Sequence, residues 1–141
     1  MIRRVLPISK QMKFGEFIWD DPDTSSGRVW ITVDIFHQII SVFRAGREIG
    51  AAVVIFGTDG YPTPVGQFSI LERHKHHRSN LYNAEMPFML RLTNDGVAIH
   101  ASDVQKGAAT HGCIGVPKRF AELLFNVTRI GNVVVIRSGK N

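Results

Sequence analysis

From Val29 onward the apolar residues of this chain arrive in short runs closed by turn formers, and that rhythm constrains the fold to a mostly β one. Val29-Trp30-Ile31-Thr32-Val33 is β-branched and aromatic, and residues 38–44 continue in the same character. Ala45-Gly46 turns the chain into Glu48-Ile49 and the apolar run 51–56. Residues 57–66 hold several Gly and Pro and read as a shaped loop, after which 67–71 resumes a strand. Residues 88–92 and 97–100 flank Asn94-Asp95-Gly96. Asp-Gly between two apolar runs predicts a hairpin, because glycine accepts the positive φ of such turns. His100 therefore ends a hairpin strand. One stretch breaks the rhythm: Phe120, Ala121, Leu123, Leu124 and Val127 recur at helical spacing. Pro117 opens this helix, Gly131 ends it, and residues 132–136 form a last buried strand.

The remaining segments are less regular. The basic run Arg73-His74-Lys75-His76-His77-Arg78 and residues 79–85 read as one long loop. Residues 1–27 end in Asp20-Asp21-Pro22-Asp23-Thr24-Ser25-Ser26-Gly27 and read as an N-terminal extension or linker. A single domain then spans 28–141.

Composition narrows the function. A chain of 141 residues with 44% apolar content buries one core. No run of about 18 apolar residues is present, so no transmembrane helix is expected. The first seven residues carry charge without the apolar stretch of a signal peptide. One cysteine rules out an internal disulfide and a thiolate metal cluster. The net charge of +5 suits an anionic partner, such as nucleic acid or a wall polymer. No aromatic residues alternate with the basic run to stack bases, so a nucleic-acid partner is not expected. The spacing of His74, His76 and His77 suggests a metal, but no acidic residue lies within the run, and no metal is assigned.

The chemistry gathers at Thr110-His111-Gly112-Cys113-Ile114-Gly115. A thiolate attacks carbonyls, and it needs a base or a positive neighbour to form. Gly112 removes bulk beside the sulfur. Two histidines compete for the base. His111 is two residues away and would share a face with Cys113 in an extended segment. His100 lies thirteen positions upstream and reaches it only through the fold. Spacing leaves both open.

These residues resemble the L,D-transpeptidase catalytic domain, the YkuD-like family. That family carries an upstream His, a spacer, then Ser/Thr-His-Gly-Cys and an apolar residue. Thr63-Pro64-Val65-Gly66-Gln67-Phe68 is similar to its Thr-Pro-x-Gly-x-Phe segment. Met86-Pro87-Phe88 followed by Gly96-Val97-Ala98-Ile99-His100 is similar to the approach to its active site, and Asn132-Val133-Val134-Val135-Ile136 to its closing strand. The match covers roughly residues 28 to 137.

The resemblance implies a mixed β-sandwich with one principal C-terminal helix. It implies a cysteine acyltransferase acting on peptidoglycan tetrapeptide stems, forming cross-links or exchanging the terminal D-residue. An L,D-carboxypeptidase or an envelope-protein anchoring enzyme would use the same nucleophile, and a noncatalytic wall-binding module is the remote alternative. Cys113 is then the nucleophile and His100 the base, oriented by the Ala101 carbonyl. His111 holds the active-site loop or assists the oxyanion region. Backbone N–H groups of Gly112 and Cys113 receive the oxyanion. Tyr82, Met86, Phe88 and Thr110 contact substrate. No cofactor is implied, and the location is the cell envelope or periplasm. Two departures stand out. The spacer between His100 and Thr110 is nine residues, short for the family. Many members place Arg or Asn two residues after the cysteine, where this chain has Gly115. On that reading Gly115→Arg would tighten binding of a substrate carboxylate.

Overall fold

β-Branched alternation builds the larger sheet. The computed structural model describes residues 13, 15–21, 27–57, 63–79, 84–102 and 112–138. An edge strand, β1 (Phe17–Trp19), precedes the meander β2 (Val29–Asp34), β3 (Ile39–Arg44) and β4 (Arg47–Val53). Along β2, Val29, Ile31 and Val33 are buried while Trp30 and Thr32 face the other way, the period of two that a half-covered strand requires. Trp30 stacks on its cross-strand partner Phe43, with ring centroids 4.2 Å apart.

The chain then forms β5 (Gly66–Ser69), β6 (Glu72–His74), β7 (Arg78–Ser79), β8 (Ala84–Glu85), β9 (Met89–Arg91), β10 (Ala98–Ala101) and β11 (Ile114–Val116). Helix α1 (Lys118–Val127) and strand β12 (Val133–Arg137) close it. The larger sheet runs β1-β4-β3-β2-β12-β5, the smaller β11-β10-β9-β6, and β7 pairs with β8 as a separate ribbon. One hydrophobic core draws from both sheets and from Phe120, Ala121 and Leu124 of α1. Mostly β with one helix among the described residues is the expected class, and the two sheets around a shared core are the expected sandwich.

Three local expectations fail. The basic run is not all loop. Arg73 pairs with Leu90 in the β6–β9 ladder, and Glu72 in β6 is bridged to Arg91 at 2.8 Å. Beyond it, Arg78 faces Glu85 in the ribbon. Charged residues can line strands when their partners sit on the neighbouring strand, and single-strand patterning does not display that. Residues 17–19, read as part of an extension, add a strand to β4. Phe17 and Trp19 meet Phe120 edge to face at 5.8 and 5.6 Å. The helix stops at Val127, not at Gly131. Thr128 turns extended, and its Oγ1 donates to the Leu124 carbonyl at 2.9 Å. Gly131 serves the following turn, with φ 98°.

Candidate active site

The Asp-Gly hairpin mounts His100 as its sequence predicts. β9 and β10 are antiparallel, and Gly96 takes φ 99° in the turn between them. β11 lies parallel to β10, with Ile99 opposite Ile114, His100 opposite Gly115 and Ala101 opposite Val116. Extending that register by one residue sets Cys113 beside Ala98. Cys113 packs there against the cluster of Met86, Met89 and Ala98. Because side chains alternate, Cys113 and His100 share one face of adjoining strands. Strand spacing and rise put their Cα atoms roughly 8 Å apart.

The imidazole is fixed from behind. His100 Nδ1 donates to the Ala101 carbonyl at 2.8 Å. A carbonyl only accepts, so Nδ1 carries the hydrogen and Nε2 keeps its lone pair. Ala101 is held in turn, its N–H donating to the Pro87 carbonyl at 2.8 Å.

The peptide leading into the sulfur is also fixed. Gly112 has φ 105°, a conformation that favours glycine over any residue with a Cβ. Its carbonyl accepts from Thr63 Oγ1 at 2.8 Å, and Thr63 Oγ1 in turn accepts from the Gly57 N–H at 2.9 Å. In a trans peptide the N–H points opposite to the C=O. Thr63 therefore sets the direction of the Cys113 N–H. This buried threonine is a site residue that the role assignments above omit. Its signal was present as the first residue of the Thr-Pro-x-Gly-x-Phe segment.

The resting pair is uncharged. Burial raises the Cys113 thiol above its usual 9.0, and the Asp95 charge adds to this; a backbone contact with Ala98 works the other way. Burial lowers His100 below 6.5, reinforced by the charge of His77 and opposed by the Ala101 hydrogen bond. The thiol, with Sγ 3.7 Å from the Gly96 carbonyl, is protonated at neutral pH.

Gly115 overturns the expectation placed on it. A Cβ there would sit 2.6 Å from Ile55 Cγ1 and 2.8 Å from Ser102 Cβ. Gly115 and Ile55 also exchange backbone hydrogen bonds of 2.9 and 3.0 Å. The position is filled by Ile55, so no arginine can be restored there without displacing the wall of the site.

Of the other expected residues, Met86 belongs to the buried cluster on which Cys113 packs, whereas Phe88 packs edge to face on Phe125 at 5.6 Å and belongs to the core margin. Arg73 lies over the same Phe125 ring, 4.2 Å from its centroid. Tyr82, Thr110 and His111 lie outside the described residues. Beside the site the ribbon continues past its ladder: Met86 N–H donates to the His77 carbonyl at 2.7 Å and Phe88 N–H to the Lys75 carbonyl at 2.9 Å. His74 turns to Glu72 at 3.2 Å. Among the described residues no group of His, Cys, Asp and Glu is arranged to hold a metal ion, and no helix is long and apolar enough to cross a membrane.

Comparison with known proteins bears on the family and the fold. Residues 28–136 match the L,D-transpeptidase catalytic domain, YkuD. The chain is 25% identical to "Probable L,D-transpeptidase 3" of Mycobacterium tuberculosis H37Rv, over 64% of this chain and 40% of that protein. It thus spans less than half the length of that curated relative. Its fold is similar to that of an L,D-transpeptidase (Yku) from Stackebrandtia nassauensis, with a TM-score of 0.73 and 23% identity, covering 84% of this chain and 60% of that one. An L,D-transpeptidase from Mycobacterium tuberculosis H37Rv gives a TM-score of 0.72 and 23% identity, covering 79% and 58%.

Proposed function

This chain belongs to the L,D-transpeptidase catalytic domain family, and on that premise we propose that it is a cysteine acyltransferase acting on peptidoglycan tetrapeptide stems in the cell envelope. The observation that carries the reading is the placement of Cys113 and His100 on one face of adjoining parallel strands, with Nδ1 of His100 tied to the Ala101 carbonyl.

The steps follow from that arrangement. His100 Nε2 takes the thiol proton as Sγ attacks the carbonyl before the terminal D-residue. The new C–S bond places negative charge on the carbonyl oxygen, which the Gly112 and Cys113 N–H groups receive. Losing one such donor typically costs about 2.7–4 kcal/mol of barrier. The C–N bond then breaks, and the imidazolium returns its proton to the departing nitrogen. An entering amine reverses the sequence. Its nitrogen bonds to the thioester carbon, its proton passes to His100, and the C–S electron pair leaves on sulfur, which is reprotonated. His111, Thr110 and Tyr82 are assigned to the loop and substrate by resemblance. Water, a free D-amino acid or an envelope-protein amine as acceptor would use the same acyl-enzyme.

Mass spectrometry after incubation with a disaccharide-tetrapeptide tests the reading. The expected result is an adduct on Cys113 with release of the D-residue. A folded protein that neither gains mass nor releases the residue would refute it.

A further inference from the structure

The hairpin that mounts His100 also carries a carboxylate at its tip, beside the thiol. Cys113 Sγ lies 3.7 Å from the Gly96 carbonyl, and Asp95 is the residue before Gly96. The turn is tied from within. The Leu92 and Thr93 N–H groups both donate to the Val97 carbonyl, at 2.8 and 3.3 Å, and the Gly96 N–H donates to the Thr93 carbonyl at 3.3 Å. Thr93 Oγ1 accepts from the Val97 N–H at 2.9 Å and donates to Asp95 Oδ1. One hydroxyl thus fixes both the turn and the carboxylate. Among the described residues the partner of that carboxylate is this hydroxyl and not a cation. Arg91, on the strand that enters the turn, is engaged instead by Glu72 and by the Thr93 carbonyl. Asp95 is exposed, yet its charge reaches the sulfur: after burial itself, it is what raises the Cys113 thiol.

A negative charge in that place opposes nucleophilic attack. Attack puts charge first on Sγ and then on the carbonyl oxygen, and the carboxylate repels both. A substrate that brings its own ammonium to Asp95 cancels the repulsion, and one that brings a carboxylate adds to it. The effect is local and opposite in sign to the molecule as a whole. With a net charge of +5 the chain draws anions, and Asp95 turns them away at the sulfur.

We propose that Asp95 is a specificity-determining residue for Cys113: it favours acyl donors that bring an ammonium group beside the reacting carbonyl and disfavours those that bring a carboxylate there. The donor class rests on the acyl-transfer reading above. The charge selection does not, so it is tested first on the thiol alone.

Cys113 is reacted with two ethyl methanethiosulfonates, one ending in trimethylammonium and one in sulfonate. Each forms a mixed disulfide and releases methanesulfinate. The ratio of the two rates is read, because the thiolate fraction is common to both and cancels. Asp95→Asn keeps an acceptor for Thr93 and an Asn-Gly turn. It lowers the ammonium-to-sulfonate ratio about tenfold at low salt, the lower end of what a local field adds to an encounter rate. Added salt narrows the difference, and Asp95→Glu retains the native ratio. An unchanged ratio in Asp95→Asn overturns the proposal. Two tetrapeptides that differ only in a free or acetylated side-chain amine, on the residue whose carbonyl is attacked, are then compared as donors. The free amine acylates Cys113 faster in the native protein, and Asp95→Asn loses that preference. Equal acylation of the native protein by both overturns the donor class. A ratio that shifts while neither donor acylates removes the acyl-transfer reading and leaves the charge selection standing. Release of the D-residue with an unmoved ratio does the reverse.

Discussion

The two regions that meet at the thiol are built differently. The β10–β11 seam is buried, with Ala98, Ile99 and Ile114 almost wholly covered. It is bonded on every side: Ile55 pairs with Gly115, Ser102 with Val116, and Ala101 with Pro87. The β7–β8 ribbon has two-residue strands and exposed charges. A two-stranded ribbon is marginal in water by itself. On the acyl-transfer reading proposed above, the reacting groups sit on a seam that fixes their geometry, beside a margin that can be altered without disturbing it.

The largest effect expected is at Cys113. Cys113→Ala abolishes turnover and acyl-enzyme formation, with the circular dichroism spectrum unchanged. Residual turnover at the normal rate would move the chemistry off the seam altogether.

His100→Gln comes next. It lowers the rate of Cys113 acylation by about 10²–10⁴-fold, the usual worth of a positioned base. His111→Ala lowers it less. The reverse order would transfer the base to the loop and leave the seam with the nucleophile only.

Thr63→Val is smaller and sharpens the same point. It keeps the side-chain shape but leaves the Gly112 carbonyl and the Gly57 N–H without their shared partner. The expected loss is about 1–3 kcal/mol of stability in thermal melts, with slower acylation and rescue by Thr63→Ser. Acylation at the normal rate in Thr63→Val would mean that the Cys113 N–H needs no such tether.

The smallest effects are on pH. Cys113 alkylation by iodoacetamide rises with pH through a midpoint above 9.0, and Asp95→Asn moves that midpoint down by removing a nearby negative charge. Stability follows the same two groups. The buried His100 resists a proton that the unfolded chain accepts below 6.5, so stability is full above 6.5 and falls with pH below it. The unfolded thiol ionises above 9.0 while the folded one does not, so stability also falls as pH rises beyond 9.0. A midpoint for alkylation near neutral pH would show that Cys113 rests as a thiolate.

How much of this could be read beforehand depended on distance along the chain. The β9–β10 turn was legible because Asp95-Gly96 acts locally, and α1 because its apolar period is local too. The family was legible from the residues that flank Cys113. The parallel pairing of His100 with Gly115 was not, since no short-range pattern records which strands become neighbours. Thr63 was marked by the Thr-Pro-x-Gly-x-Phe resemblance, but its reach to Gly112 across 49 positions was not. Gly115 was misread for the same reason. Its missing side chain looked like a vacancy beside the cysteine, but Ile55, two residues past the end of β4, occupies it.

Phe125, near the end of α1, has a mechanical consequence. Arg73 grips its ring from one foot of the β6–β9 excursion and Phe88 from the other, while an Arg73 guanidinium nitrogen donates to the Phe125 carbonyl. Both feet thus share one axle. The excursion cannot swing as a whole without first turning that ring out. Fraying of the last helical turn would then loosen both feet together. Amide exchange should then report the helix end and the ribbon at a common rate, and separate rates would uncouple them.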